Sequence, residues 1–255
     1  MKLNLLTRGA LVALCLSLLV GAAGCGLWQS TKKIYKGAIL PAEVDLDQES
    51  GLSETEQLMA RLFKEIDQHI EDLSRELLVQ EGLPDQEWMQ SQTSQFPWLN
   101  GIMAWHRDGR LVAKFPEHSI KQPDLQGLQT TNSTSIQNLR SLTFQVQASD
   151  LGPELFIIRP LYQAAAPNGS IAAHFDPRSL ASLSDDPGRL LLFTPEHMLW
   201  DGHHETMSEK LAGIDWNQEL EHRAAGRVEI EDRAFYWMAR YIGDKPLFYA
   251  VEARQ

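Results

Sequence analysis

Ile102-Met103-Ala104-Trp105-His106-Arg107-Asp108-Gly109-Arg110-Leu111-Val112-Ala113-Lys114-Phe115 holds two apolar runs on either side of a polar turn. Asp108-Gly109 supplies the positive φ of a tight hairpin turn, because glycine has no Cβ to clash there. The stretch predicts strand, turn, strand, and the segments around it sort themselves against that unit. Trp105, His106 and Arg107 stand at the turn.

Upstream, Ser53-Glu54-Thr55-Glu56 is a capping box: the serine oxygen accepts from a free backbone N–H of the first turn, and Glu56 reaches back. Met59, Leu62, Phe63, Ile66, Ile70, Leu73 and Leu77 then recur at threes and fours, the period of one helix face. This predicts an amphipathic helix of about 28 residues, ended by Gly82 and Pro84. Arg61, Lys64, Glu65, Asp67, Glu71 and Arg75 read as its solvent side. The apolar stripe fits a coiled-coil partner or a sheet, and the strand patterns that follow favour the sheet. A shorter helix is expected from Asp85 to Ser94, and Pro97 introduces the hairpin.

Downstream of Pro116, the stretch Gln122-Pro123 to Asn138 is rich in Gln, Thr, Ser and Asn with little periodicity, and reads as a long loop with one short helix at most. Strand patterns resume at Leu142–Val146, Leu155–Tyr162 and Ser170–Asp176, with Pro167-Asn168-Gly169 read as a turn. Period two puts Ile171, Ala173 and Phe175 on one face of the last strand, and Ser170, Ala172, His174 and Asp176 on the other. The first set suits the helix side. Arg159 shares a face with Leu155, Ile157 and Leu161, so its guanidinium needs a buried partner, either an internal acid or a ligand carboxylate.

Leu190–Phe193, Thr194-Pro195-Glu196-His197 and Met198–Trp200 repeat the hairpin format. A turn at Gly226, an alternating run Phe235–Tyr241, a turn at Gly243-Asp244 and the run Pro246–Val251 follow. The order resembles that of the first half, which points to an internal duplication.

These segments together resemble the Cache family, PAS-like sensor domains that bacteria display outside the cytoplasmic membrane. The resemblance is carried by the long helix, the Gly101–Phe115 hairpin, Ile158-Arg159-Pro160-Leu161-Tyr162 running on to Gly169–Leu180, and the second hairpin with Tyr236–Val251. It implies an α+β fold, with a long N-terminal helix on an antiparallel PAS-like sheet and then a second, smaller PAS-like module. The expected modules are 52–182 and 183–255. Family members bind amino acids, amines or carboxylates in the membrane-distal module and signal to a domain beyond a membrane helix. This sequence departs from the family twice. No membrane helix or signalling domain follows Gln255, so a signal is expected to pass to a separate partner. The family's Arg-x-Trp-Tyr cluster is absent between Phe115 and Leu155, and only Asp176 stands where its final Asp would be.

The start of the chain reads as an export signal. Lys2 and Arg8 precede an apolar run from Gly9 to Gly24, shorter than the roughly 20 residues a spanning helix needs. Ala22-Ala23-Gly24-Cys25 resembles a bacterial lipobox, with Ala22 where Leu is usual. That implies cleavage after residue 24 and lipid on Cys25. Cys15 lies inside the run, so the mature chain has one cysteine and no disulfide. Gly26 after the cysteine implies the outer membrane where an envelope has two. Residues 25–51 read as a tether, with Lys32, Lys33 and Lys36 near the lipid and Glu43, Asp45, Asp47 and Glu49 beyond.

Charge narrows the partners. The whole sequence carries −11, and without residues 1–24 it has 21 basic against 34 acidic residues, or −13. Such a surface argues against nucleic acid and against wide contact with anionic lipid. His197, Asp201, His203, His204 and Glu205 lack the spacing of a metal site, and no hydrolase or phosphate-loop motif occurs. No cofactor and no enzyme activity are expected, the remaining alternative being a hydrolase whose site carries no recognisable motif. The expected ligand residues are Trp105, Arg107, Arg159, Tyr162, His174 and Asp176. Trp105 offers a stacking face and Arg107 a fork for a carboxylate. Asp176 suits a cationic or hydroxyl-bearing ligand and Arg159 an anionic one, and the sequence does not choose between them. The expected function is a lipoprotein that binds a small extracytoplasmic ligand as an accessory sensor. The alternative is a non-catalytic scaffold whose modules bind another protein.

Overall fold

The computed structural model describes residues 54–121, 123–128, 142–163 and 166–253. The export signal, Cys25, the tether, the Ser53 cap and most of the polar stretch after Pro123 lie outside them. The described residues belong to one compact unit, Gly51–Gln255.

Helix α1 (Glu54–Val79) buries Leu58, Met59, Leu62, Phe63, Ile66, Ile70, Leu73 and Leu77, the stripe expected from the spacing. The chain reverses at Gly82, whose φ is +70°, and enters α2 (Gln86–Gln95). Asp85 caps α2, its carboxylate accepting from Trp88 N at 2.8 Å. The quoted hairpin is β1 (Gly101–His106) and β2 (Leu111–Phe115). Its turn holds Gly109 at φ +84°, and Asp108 Oδ1 accepts from Arg110 N at 3.0 Å.

The sheet is completed by β3 (Thr143–Gln147), β4 (Glu154–Gln163) and β5 (Ala166–Phe175), in the antiparallel order β2-β1-β5-β4-β3. Pro167-Asn168-Gly169 is therefore strand and not turn. β1 accompanies β5 only as far as the pair His106 and Gly169. Beyond that point β5 is an edge on that side, where a proline without an N–H is tolerated. A short helix, α3 (Pro177–Ala181), follows, capped by Asp176 with Pro177 in its first turn.

The second sheet comprises β6 (Leu190–Phe193), β7 (Met198–Trp200), β8 (Ala225–Ile230), β9 (Arg233–Ile242) and β10 (Lys245–Glu252). Its order, β7-β6-β10-β9-β8, repeats the first sheet strand for strand, so the duplication read from the pattern holds at the level of topology. Two helices missed in the sequence, α4 (Glu205–Ala212) and α5 (Trp216–His222), lie between β7 and β8. Gly226, read as a turn, sits inside β8, an edge strand. A Cβ there would come within 2.8 Å of the Arg223 guanidinium.

Helix α1 spans both sheets through one continuous core. Its stripe packs with Ile102, Phe144, Ile157, Ile171, Ala173 and Phe175 of the first sheet and with Leu192, Leu247, Tyr249 and Val251 of the second. Phe63 stacks on Tyr249 at 4.9 Å. Asp67, on the side read as solvent-facing, is half-buried and pairs with Arg240 of β9 at 3.0 Å. The sheets also touch directly. Gly243, at φ +65° between β9 and β10, lies so close to the start of β3 that a Cβ would meet Leu142 O at 1.8 Å.

Candidate ligand-binding face

Each sheet has an inner face against α1 and an outer face away from it. Strand parity fixes what the first sheet shows outward. Phe144 and Val146 pack inward, so Thr143, Gln145 and Gln147 point out. By register, Gly101, His174, Phe156 and Gln145 form one row across β1, β5, β4 and β3. Met103, Ala172, Ile158 and Thr143 form the next, and Trp105, Ser170 and Pro160 the one beyond. Met103, Trp105, Phe156, Ile158 and Ala172 make a small apolar cluster, joined by Leu128 and Leu125 of the helical turn at 125–128. Gln147 holds that turn: Asp124 N donates to Gln147 Oε1 at 3.0 Å, and Gln147 Nε2 donates to Asp124 O at 2.8 Å. Gln145, one step along the same face, is 7% exposed, and its amide nitrogen has no hydrogen-bond partner.

A charged cluster closes one end of this face. His174 is fully buried, stacks on Phe156 at 5.5 Å and shares Nδ1 with Glu154 Oε1 at 2.6 Å. Its Nε2 points at Gly101, where a Cβ would come within 2.8 Å; glycine is required for this close approach. Asn100 Nδ2 donates to both Glu154 oxygens, at 2.9 and 3.0 Å. Lys121, 7% exposed, donates to Pro153 O at 2.6 Å and to Asp176 Oδ2, and stands 3.3 Å from Glu154 Oε2. Arg178 donates to Asp176 Oδ1 through Nε at 2.8 Å and to Oδ2 through Nη2 at 2.6 Å. Burial opposes the charge on Asp176, but the hydrogen bonds from Arg178 and Lys121 outweigh it and hold the carboxyl down at about 2.

The six expected ligand residues separate accordingly. Trp105 and His174 lie on the outer face. Asp176 lies just past the end of β5, so strand parity no longer governs it; it caps α3. Tyr162 is half-buried near the other end of β4, beside a bulge. Arg107 is exposed on the hairpin turn. Arg159 is on the inner face, as its alternation requires, and its guanidinium donates to Leu77 O and to Gln80 O at 2.6 Å. It satisfies carbonyls that the end of α1 leaves without intrahelical donors. Asn100, Lys121, Gln145 and Glu154 were not found from sequence. The alternation of Thr143, Gln145 and Gln147 against Phe144 and Val146 carried the signal for Gln145. Lys121 lies in a stretch without period.

The same face of the second sheet is different. Leu191, Phe193, Trp237, Phe248 and Ala250 pack there against Met207, Leu211 and Trp216 of α4 and α5. Phe193 stacks on Phe248 at 5.0 Å, and Trp216 meets Trp237 edge-on at 5.4 Å. Elsewhere on this module a cleft of about 550 Å³ opens between the start of α1 and the β8–β9 turn. Its arginines are already engaged, Arg233 with Glu252 and Arg227 with Glu229 at 2.9 Å. Near it, burial and the Arg233 guanidinium lower the pKa of His204, whose Nδ1 lies 2.9 Å from Arg233 Nη2. Among the described residues no group of three His, Cys, Asp or Glu could hold a metal ion, and no helix is long and apolar enough to cross a membrane.

No family model and no curated protein matches the chain. Solved structures do. An extracellular ligand binding receptor from Desulfohalobium retbaense aligns at TM-score 0.51 and 13% identity, over 78% of this chain and 38% of that one. A domain of a sensory box/GGDEF family protein from Vibrio parahaemolyticus aligns at 0.51 and 12%, over 79% and 96%. The ligand-binding domain of the Pseudomonas aeruginosa amino acid chemoreceptor PctC, in complex with GABA, aligns at 0.51 and 13%, over 78% and 95%. The chain thus spans little more than a third of the Desulfohalobium receptor. At these identities the likeness is one of fold: a long helix and two PAS-like antiparallel sheets, the double-Cache arrangement.

Proposed function

We propose that this chain, built on the fold of extracellular sensory domains, is an exported, lipid-anchored binding component whose first module takes a small molecule on its outer face. The observation that carries the reading is the contrast between the two outer faces. In the second module five aromatic rings, Phe193, Trp216, Phe235, Trp237 and Phe248, fill it. In the first, the equivalent surface buries Gln145 with its amide nitrogen unpartnered, and burying a polar group is unfavourable unless it meets a partner. Trp105 and His174 lie on that surface, and Asp176 with its cations closes one end. Lipid on Cys25 would hold the module at the membrane, on the periplasmic side of the outer membrane if the envelope has two. A separate envelope protein would receive the signal.

The test is a thermal-shift screen of the full chain in detergent against small metabolites. A ligand at 100 times its Kd adds roughly 2.7 kcal/mol, which at 2–4 °C per kcal/mol is a shift of about 5–11 °C. No shift across the library, at millimolar concentrations, would remove the ligand and leave the scaffold reading. One observation favours that second reading: β2 is an edge strand with Leu111 and Val112 exposed, a surface on which a partner's strand could pair.

A further inference from the structure

The geometry points to a ligand without a cationic group, one that presents a hydrogen-bond acceptor to the Gln145 amide. This rests on the binding reading above and narrows its chemistry.

An ammonium group brought to the outer face of the first sheet is held most strongly by a carboxylate with free lone pairs. The two carboxylates at its edge have none to spare. Glu154 Oε1 faces His174 Nδ1 and Asn100 Nδ2, and Oε2 faces Asn100 Nδ2 and Lys121. Asp176 Oδ1 accepts from the backbone N and Nε of Arg178, and Oδ2 from Lys121 and Arg178 Nη2. Each oxygen already faces two donors, which is the capacity of a carboxylate oxygen. Asp124 stands on the solvent side of the covering turn, and its carboxylate accepts from Gln126 N.

What the face does offer is a donor. Gln145 is more than nine-tenths buried, and its Nε2 meets no acceptor. A buried amide in that condition is destabilising, so an acceptor supplied from outside is rewarded. Around it stand Trp105, Met103, Phe156 and Ile158, which suit an apolar body. A neutral carbonyl compound or a carboxylate meets these conditions. A free amino acid or an amine does not, because its ammonium would be desolvated without a partner. The chain thus differs in recognition from the PctC domain whose fold it shares.

The experiment uses matched pairs: benzamide and benzylamine, 2-pyrrolidinone and pyrrolidine, acetate and glycine, succinate and GABA. Each is titrated into the full chain in detergent by calorimetry and thermal shift, with wild type beside Gln145→Leu. The expected result is binding by the first member of at least one pair, at least tenfold tighter than by the second, and lost at least tenfold in Gln145→Leu. The unliganded variant should melt at or above the wild-type temperature, since leucine removes an unsatisfied amide. Tighter binding by benzylamine, pyrrolidine, glycine or GABA overturns the inference and leaves the binding reading standing. A Gln145→Leu protein that melts several degrees lower without ligand also overturns it, because the amide then has a structural partner. No binding by any of the eight overturns the inference, and a null metabolite screen beside it overturns the binding reading too.

Discussion

Replacing Lys121 by methionine removes the one cation that bridges both carboxylates of the charged cluster while keeping the length of the side chain. Four formal charges meet there, Lys121 and Arg178 against Glu154 and Asp176, and they cancel. Lys121→Met leaves a surplus negative charge at a site where the lysine is 7% exposed. Breaking a buried ion pair by removing one partner costs about 3–5 kcal/mol. Here the lower end applies, because Arg178 stays on Asp176 and Asn100 on Glu154. Arg178 cannot substitute, since most of its side chain lies in solvent and exposed pairs contribute about 0–1 kcal/mol. A loss of about 3 kcal/mol is a fall in Tm of about 6–12 °C for a unit of this size. Differential scanning calorimetry reads it directly. Adding Glu154→Gln removes the orphaned charge, so the double variant should be more stable than the two single losses sum to, by at least 1 kcal/mol. A Lys121→Met protein that melts within 2 °C of wild type would show that the lysine lies in water, and the reasoning about the cluster would fall with it.

Three further outcomes are expected. Gly243→Ala should cost more than about 2 kcal/mol, because φ is +65° and the new Cβ meets Leu142 O; a urea midpoint equal to wild type would remove the contact between the sheets. His204 has a lowered pKa in the folded state, so as pH falls below about 6.5 the unfolded chain takes the proton first and stability drops. Stability should be flat above pH 7 and decline from about 6.5 towards the lower folded pKa; His204→Asn, which keeps an acceptor for Arg233, should flatten that decline, and parallel urea profiles for both proteins would discount the histidine. Cys25→Ser should move the protein from the detergent phase to the aqueous phase and abolish labelling by a fatty-acid analogue, and unchanged partitioning would end the lipoprotein assignment.

Much of the architecture was legible because it rests on period. The stripe from Met59 to Leu77 fixed α1, and the alternation of Ile171, Ala173 and Phe175 fixed which side of β5 meets it. Misreadings arose where a local signal was overruled by neighbours in space. Pro167-Asn168-Gly169 has the composition of a turn, yet it continues β5 where β1 has ended. Asp67 has the look of a solvent residue, and its partner Arg240 lies on another module. Arg159 was placed on the correct face, but its partners are carbonyls at the end of α1, which sequence does not label. The charged cluster was half legible: His174 stood out by strand parity, Asp176 was singled out by carrying that parity one residue past the end of β5, and Lys121 arrives from an aperiodic stretch far away in sequence.

Helix α1 is shared property. Expressed without it, the first sheet would present Ile157, Ile171 and Phe175 to water and the second Leu192, Tyr249 and Val251, each a contiguous oily surface. Neither module is therefore a unit that a gene could trade on its own. A break in the chain near residue 183, where the topology repeats, should yield two insoluble halves that regain solubility only when produced together. The smallest piece that keeps both oily surfaces covered is the rod with both of its sheets.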